Sequence, residues 1–260
     1  MFIFFFVPLL RNEQFNICMR NFITIFFLLV VLTACHKSVR VVESNSEVIT
    51  IDSTFDSIQD TTYLLHITPI KDMLKKQLDM PIGYAPKTLP VYQPECPMLN
   101  WASDALFTVT KQLYPKQVDM AVVNIGGMRC EWASGDITFR NVFELMPFDN
   151  ELVVLTLSGK EILALCDIFA KHGGEGVAGL RMVAKNGVLK SVTIAGKEVI
   201  PEVYYTIATS DYLSQGNDGM TPLRNYIEIW KSNKKIRDLY IEYIKQVEVV
   251  ESEVDGRMDI

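Results

Sequence analysis

Residues 152 to 170 read LVVLTLSGKEILALCDIFA, and residues 180 to 194 read LRMVAKNGVLKSVTI. The first stretch opens on an apolar run, Leu152 to Leu157, that is too short for a buried helix and rich in Leu and Val, so it reads as a strand. Ser158 and Glu161 follow at the spacing of a capping box, which starts a helix at Gly159 and carries it to about Ala170. The second stretch holds Asn186-Gly187 between two strand patterns, Leu180 to Lys185 and Val188 to Ile194. Asn-Gly tolerates positive φ at two consecutive positions, so it predicts a two-residue hairpin. One strand feeds a helix and two others are joined by a tight turn. That combination predicts a mixed β-sheet with helices packed outside, an α+β fold.

Working outward, Thr68-Pro69 reads as an N-cap with proline at the first helical position, and Ile70, Met73, Leu74 and Leu78 keep helical spacing up to Met80-Pro81. A helix from about Met98 to Leu113 precedes a buried strand, Val118 to Val123. Downstream, Tyr204 to Thr209 reads as a strand. Ile236 to Val247 reads as a helix with Ile236, Leu239, Tyr240, Tyr243, Ile244 and Val247 facing inward. One domain is expected from about Thr61 to Ile260.

The region ahead of that domain has a different character. From Met19 the sequence is Met-Arg-Asn, eleven apolar or small residues from Phe22 to Leu32, then Leu32-Thr33-Ala34-Cys35. A short basic start, an h-region too short to span a bilayer and small residues before a cysteine resemble a bacterial lipoprotein signal. A single membrane anchor with an incidental cysteine is the other reading of the same residues. On the first, residues 1–34 are a signal segment whose true start is Met19, Cys35 is the lipidated residue, and residues 35–60 form a polar tether. The protein is then lipid-anchored in the cell envelope, on the periplasmic side or at the outer membrane.

Composition narrows the function. Hydrophobic residues make up 49% of the 260, enough for a sizeable core, and 31 acidic against 25 basic residues give a net charge of −6. Loss of residues 1–34 removes Arg11, Arg20 and Glu13, so the remaining chain carries −7. Apart from the extreme N-terminus, the basic residues gather only at Lys231 to Lys235, which speaks against nucleic-acid binding. Of the cysteines downstream of Cys35, Cys166 falls on the apolar side of its helix, and a bridge between Cys96 and Cys130 is open.

Three loops each set small turn residues and a polar or aromatic side chain at the end of an apolar strand, the positions that binding sites favour. Asn124-Ile-Gly126-Gly127-Met-Arg129 follows Val118 to Val123, with two glycines for a tight turn and a planar guanidinium suited to phosphate. Met146-Pro-Phe148-Asp-Asn150 precedes Leu152, and Ser210-Asp-Tyr212 runs on to Gly216-Asn-Asp218-Gly219. Phe148 and Tyr212 suit base stacking, whereas Asn150 and Asp218 suit hydrogen bonds to a base edge and sugar hydroxyls. Ordinary loops with core-edge aromatics would carry the same residues.

In order along the chain come N-x-G-G-x-R, then G-D-I-T-F at Gly135 to Phe139, P-F-D-N, T-x-S-G-K-E, A-T-S-D-Y-x-x-x-G-N-D-G, and V-D-G-R at Val254 to Arg257. Six elements in register over about 200 residues resemble the C-terminal domain of the 5'-nucleotidase family. The resemblance implies a nucleoside- or nucleotide-binding domain, with Phe148 and Tyr212 as stacking pair, Asn150 and Asp218 as base and ribose contacts, and Arg129 on the phosphate side. One departure is at Val91-Tyr-Gln-Pro-Glu95, where the family carries arginine. The other is the catalytic half: a two-metal phosphoesterase needs clustered Asp, His and Asn ligands. This chain has only His36, His66 and His172, read as solvated residues of a tether, a helix entry and a helix end. No cofactor is expected in this chain, and divalent metals only in a separate metallophosphatase chain. The resemblance therefore implies the binding subunit of a split 5'-nucleotidase, or a stand-alone nucleoside-binding lipoprotein.

Overall fold

A computed structural model describes residue 17, residues 19–26, residues 44, 46 and 48, and residues 61–260. The chain divides into two units, Met1–Gln59 and Asp60–Ile260. In the first, residues 19–26 are helical; the expected lipidation site Cys35 and most of the tether 35–60 lie outside the described residues. No helix among the described residues is long and apolar enough to cross a membrane.

The second unit begins with α1 (Thr61–Leu78), which departs from the expected helix entry at Thr68-Pro69. The helix runs through, with Pro69 in its interior and none of its residues buried. Proline removes one amide donor to the carbonyl four residues back, at Leu65, and Leu65 is exposed, so that carbonyl keeps access to solvent. His66 accordingly lies inside α1. There follow β1 (Pro81–Ala85), α2 (Pro97–Leu113), β2 (Met120–Val123), β3 (Gly135–Thr138), α3 (Phe139–Leu145), β4 (Glu151–Ser158) and α4 (Gly159–His172). Then come β5 (Gly176–Ala178), β6 (Leu180–Lys185), β7 (Val188–Ile194), β8 (Lys197–Glu198), β9 (Tyr204–Ser210), α5 (Asp211–Ser214), β10 (Glu228–Lys235), α6 (Ile236–Val247) and β11 (Met258–Asp259).

The central sheet has the order β10-β4-β9-β2-β5. It is mixed, because β2 runs parallel to β9 while β4 is antiparallel to both β9 and β10. Period-two alternation divides its side chains between two cores. Ala121, Val123, Leu152, Val154 and Ala208 face Leu99, Ala102 and Leu106 of α2 and Tyr240 and Ile244 of α6. Met120, Val122, Val153, Leu155 and Ile207 face Ile162, Leu165 and Phe169 of α4, together with Met182 and Val192 of the hairpin. Both faces are covered, which is why these strands read as unbroken apolar runs.

The α+β class holds, with one revision. The strands do not form one sheet: the Asn186-Gly187 hairpin belongs to a separate four-stranded sheet, β11-β6-β7-β8, and β1 pairs with β3 alone. The hairpin turn has φ of 54° at Asn186 and 71° at Gly187, the left-handed pair that this dipeptide favours. Along β6 only Leu180, Met182 and Ala184 are buried, so this sheet turns one apolar face to the core and the other to solvent. Half of the capping box at Ser158 forms, as the Glu161 amide donates to Ser158 Oγ at 3.4 Å. The Glu161 carboxylate accepts instead from Asn225, while the Gly159 and Lys160 amides donate to the Val203 and Pro201 carbonyls. The reciprocal box lies one helix earlier, between Thr138 and Asn141. Cys96, Cys130 and Cys166 are all free thiols. Cys96 caps α2, its Sγ accepting from the Leu99 amide, and Cys166 is buried in the α4 face.

Candidate functional site

Asn124 leaves the end of β2 and enters a single 3-10 turn, Ile125–Gly127. Its side chain folds back over that turn: a Cβ at Gly127 would stand 2.8 Å from Asn124 Oδ1, so a larger residue there would push the Asn124 side chain from its place. Asn124 Nδ2 then donates to Asp218 Oδ2 at 2.6 Å, across 94 residues of chain. Asp218 sits in the turn Asn217–Gly219 with φ of 53°, a left-handed conformation that a short polar side chain tolerates. Its other oxygen accepts from Tyr212 Oη at 2.8 Å. That hydrogen bond, followed by partial burial, raises the Tyr212 phenol above its ordinary value. Gly216 and Gly219 shape this loop without lining the cavity it borders; both have positive φ, and His172 stands against Gly219.

The Phe148 loop is held from below. Arg237, in the first turn of α6 and 6% exposed, donates to the carbonyls of Met146 and Phe148 at 3.4 and 3.3 Å. It pairs with Asp149 at 2.5 Å and packs its guanidinium over Phe143. Asp149 also takes Lys235 at 2.8 Å, and these two cations, Lys235 first, hold its carboxyl below the usual range. Asp211 ties the two aromatic loops together, because its Oδ1 accepts both the Glu151 amide and the Tyr212 amide at 2.9 Å. Ile236 donates its amide to the Asn150 carbonyl at 2.9 Å.

Asn124, Gly126, Gly127, Arg129, Phe148, Asn150, Tyr212 and Asp218 together line one cavity of about 280 Å³. Phe148 and Tyr212 remain 42% and 38% exposed, so two large rings wait uncovered on its wall. Arg129 is the cation among the described lining residues; its one hydrogen bond there is to the Gly126 carbonyl at 3.2 Å. The Asn150 side-chain amide makes no hydrogen bond to the described residues. A wider groove of about 920 Å³ lies between α1, α3 and α6, with Leu74, Leu78, Phe139, Phe143 and Ile241 on its walls. It holds none of the expected site residues, and the smaller cavity has the convergent polar groups that recognise a ligand.

That convergence coincides with a family match: residues 81–225 fit the model of the 5'-nucleotidase, C-terminal domain. The chain belongs to the 5'-nucleotidase C-terminal domain family. UshA of Escherichia coli (strain K12) is 26% identical over 200 residues, covering 74% of this chain and 36% of that protein. A 5'-nucleotidase of Vibrio cholerae is 24% identical over 192 residues, covering 71% of this chain and 34% of the relative. This chain thus spans about a third of the length of these relatives. In fold it resembles the 5'-nucleotidase precursor of Thermus thermophilus, with a TM-score of 0.67 at 24% identity, over 77% of this chain and 43% of that one.

Within this family frame, the segment Val91 to Glu95 has a structural use. Gln93 Nε2 donates to the His172 and Gly174 carbonyls at 3.0 and 2.9 Å, and buried Glu95 accepts from Asn100 and from the Asp255 amide. None of these residues lines the cavity. Arg257 of the V-D-G-R element is likewise turned inward, bidentate to Asp104 at 2.7 and 3.0 Å. Among the described residues no group of three or more His, Cys, Asp or Glu stands close enough to hold a metal ion. Sequence reasoning missed Arg237, Asp211 and Glu175. Arg237 lies in a helix read for its apolar face, Asp211 stands inside the A-T-S-D-Y element without being singled out, and Glu175 is a single acidic residue among glycines. A buried charged position opening the apolar stripe of α6 was the one available signal, for Arg237.

Proposed function

We propose that this chain is the nucleoside- and nucleotide-binding subunit of a split 5'-nucleotidase, anchored to the cell envelope by a lipid on Cys35. The observation that carries the reading is the meeting of three distant loops on one cavity with two uncovered rings, an amide unpaired among the described residues, a carboxylate and a guanidinium. The base stacks against Phe148 and Tyr212, Asn150 takes its edge, Asp218 takes the ribose hydroxyls, and Arg129 meets the phosphate. A cavity of about 280 Å³ is just under the usual range for small molecules, about 300 Å³ and upward, and its open side leaves room for a phosphate to project.

Hydrolysis of a phosphate monoester is among the slowest uncatalysed reactions and calls for charge stabilisation of the kind two metal ions provide. A separate metallophosphatase chain supplies those metals in this reading. The test is phosphate release from AMP with added divalent metal. The purified chain alone is expected to be silent, and a metallophosphatase chain encoded beside it is expected to bring turnover. Hydrolysis at an enzymatic rate by the chain alone overturns the split reading. Nucleoside binding with no restoring partner leaves the second reading, a binding lipoprotein without catalysis.

A further inference from the structure

A buried carboxyl stands behind this cavity. Glu175, in the turn between α4 and β5, is 7% exposed. Its Oε2 accepts the Ile125 amide at 2.7 Å, and its own amide donates to Met258 Sδ of β11 at 3.4 Å. Ile125 opens the 3-10 turn whose flanking residues, Asn124, Gly126 and Gly127, line the cavity. The carboxyl therefore grips the recognition loop from its inner side, while Asn124 grips Asp218 from its outer side.

Among the described residues no cation pairs with Glu175, and Arg129, on the loop it grips, donates to the Gly126 carbonyl. The turn Asn217–Gly219 brings Asp218, an anion. The end of α4 brings His172, which is exposed and stands against Gly219. The segment before α2 brings Glu95, taken up by Asn100 and the Asp255 and Met258 amides. Beside β11, Arg257 is committed to Asp104 and Asp255. Burial first, and then the charge of Asp218, push the Glu175 carboxyl up to about 7, against the pull of the Ile125 N–H.

We infer that Glu175 is a positioning residue: its neutral carboxyl seats the Asn124 to Gly127 turn against Asp218, and its ionisation loosens that turn and weakens nucleoside binding. The neutral acid still accepts from Ile125 through its carbonyl oxygen and presents no charge to Asp218. The ionised acid sets a buried carboxylate, answered by the single Ile125 N–H, on the inner side of one short loop whose outer side carries the exposed Asp218 carboxylate. The sign follows from the direction of the shift. The folded state holds this proton at a pH where an unfolded glutamate has lost it, so the stabilisation is full below about pH 4.5 and is lost as pH rises through about 7.

The ligand readout of this inference rests on the nucleoside-binding reading; the loop readout does not. Nuclear magnetic resonance is used to follow the Glu175 carboxyl carbon and the Asn124 to Gly127 amides of the full chain between about pH 5.5 and 8. All are expected to move together with a midpoint near 7, and the amide movement is expected to vanish in Glu175→Gln. Binding of adenosine, guanosine, cytidine and uridine, which stay neutral over this range, is measured by calorimetry. If only the neutral form of one carboxyl near 7 seats the loop, affinity falls about tenfold between pH 6 and pH 8 in the wild type. It stays flat in Glu175→Gln, and His172→Gln keeps the wild-type profile. A Glu175 carboxyl that titrates in the ordinary range, a Glu175→Gln profile equal to wild type, or a profile flattened by His172→Gln overturns the inference. Absence of binding by any nucleoside at any pH sinks the proposed function instead, and the amide titration alone then decides the role of Glu175.

Discussion

Phe148 stands 42% exposed on a loop whose backbone, not its ring, is what the rest of the protein holds. Arg237 grips its carbonyl and that of Met146, and the ring belongs to neither core cluster. Phe148→Ala therefore removes an aromatic face while leaving every hydrogen bond of the loop in place. Folding stability is expected to stay within about 0.5 kcal/mol, as for surface changes away from structural contacts. Binding is expected to lose one base–aromatic stack, about 1 to 3 kcal/mol, which weakens nucleoside affinity about 5- to 150-fold. Tyr212 provides the internal comparison, because its ring and its hydroxyl do different things. Tyr212→Phe keeps the stack and loses only the bond to Asp218, so its effect is expected to fall below that of Phe148→Ala. Tyr212→Ala removes both and is expected to exceed Tyr212→Phe. Calorimetric titration with nucleosides reads the affinities, and urea unfolding of the same samples reads the stabilities. An unchanged dissociation constant in Phe148→Ala, or a loss of affinity that merely tracks a loss of stability, refutes the stacking role.

Arg129→Ala is expected to weaken AMP about tenfold, a charge-assisted contact discounted for its exposure, and to spare the unphosphorylated nucleoside; equal losses for both would remove Arg129 from the phosphate side. Gly159→Ala would bring a Cβ to 2.0 Å from the Ile200 carbonyl oxygen, where backbone blocks it. A fall in stability of about 1 to 3 kcal/mol by urea unfolding is expected, at the scale of overpacking, and an unchanged midpoint would mean the 200–203 loop yields freely. Intact mass of the membrane form is expected to show Cys35 as an acylated first residue; retention of any residue ahead of it counts against the lipoprotein signal.

The elements legible in the sequence are those whose cause is local. The hairpin follows from two residues able to take positive φ, and α6 from a 3.6-residue stripe that runs from Ile236 to Val247 as read. The central strands follow from apolar runs too short for helices. The six ordered motifs carried the family, and eight of the residues they singled out line one cavity, because strand ends in such a sheet are where loops can meet. What only the tertiary structure decided are relations between distant residues. The division of the strands among three sheets depends on which faces find a partner, and periodicity alone does not name the partner. The passage of α1 through Pro69 depends on that helix lying exposed, where a freed carbonyl meets solvent. Arg237 under Phe148 spans 89 residues, Asp211 against Glu151 spans 60, and Glu175 against Ile125 spans 50. In none of the three does the neighbouring sequence name the distant partner. For Arg237 and Glu175 burial assigns the role, by making distant carbonyls or a distant amide the partners that water would otherwise be.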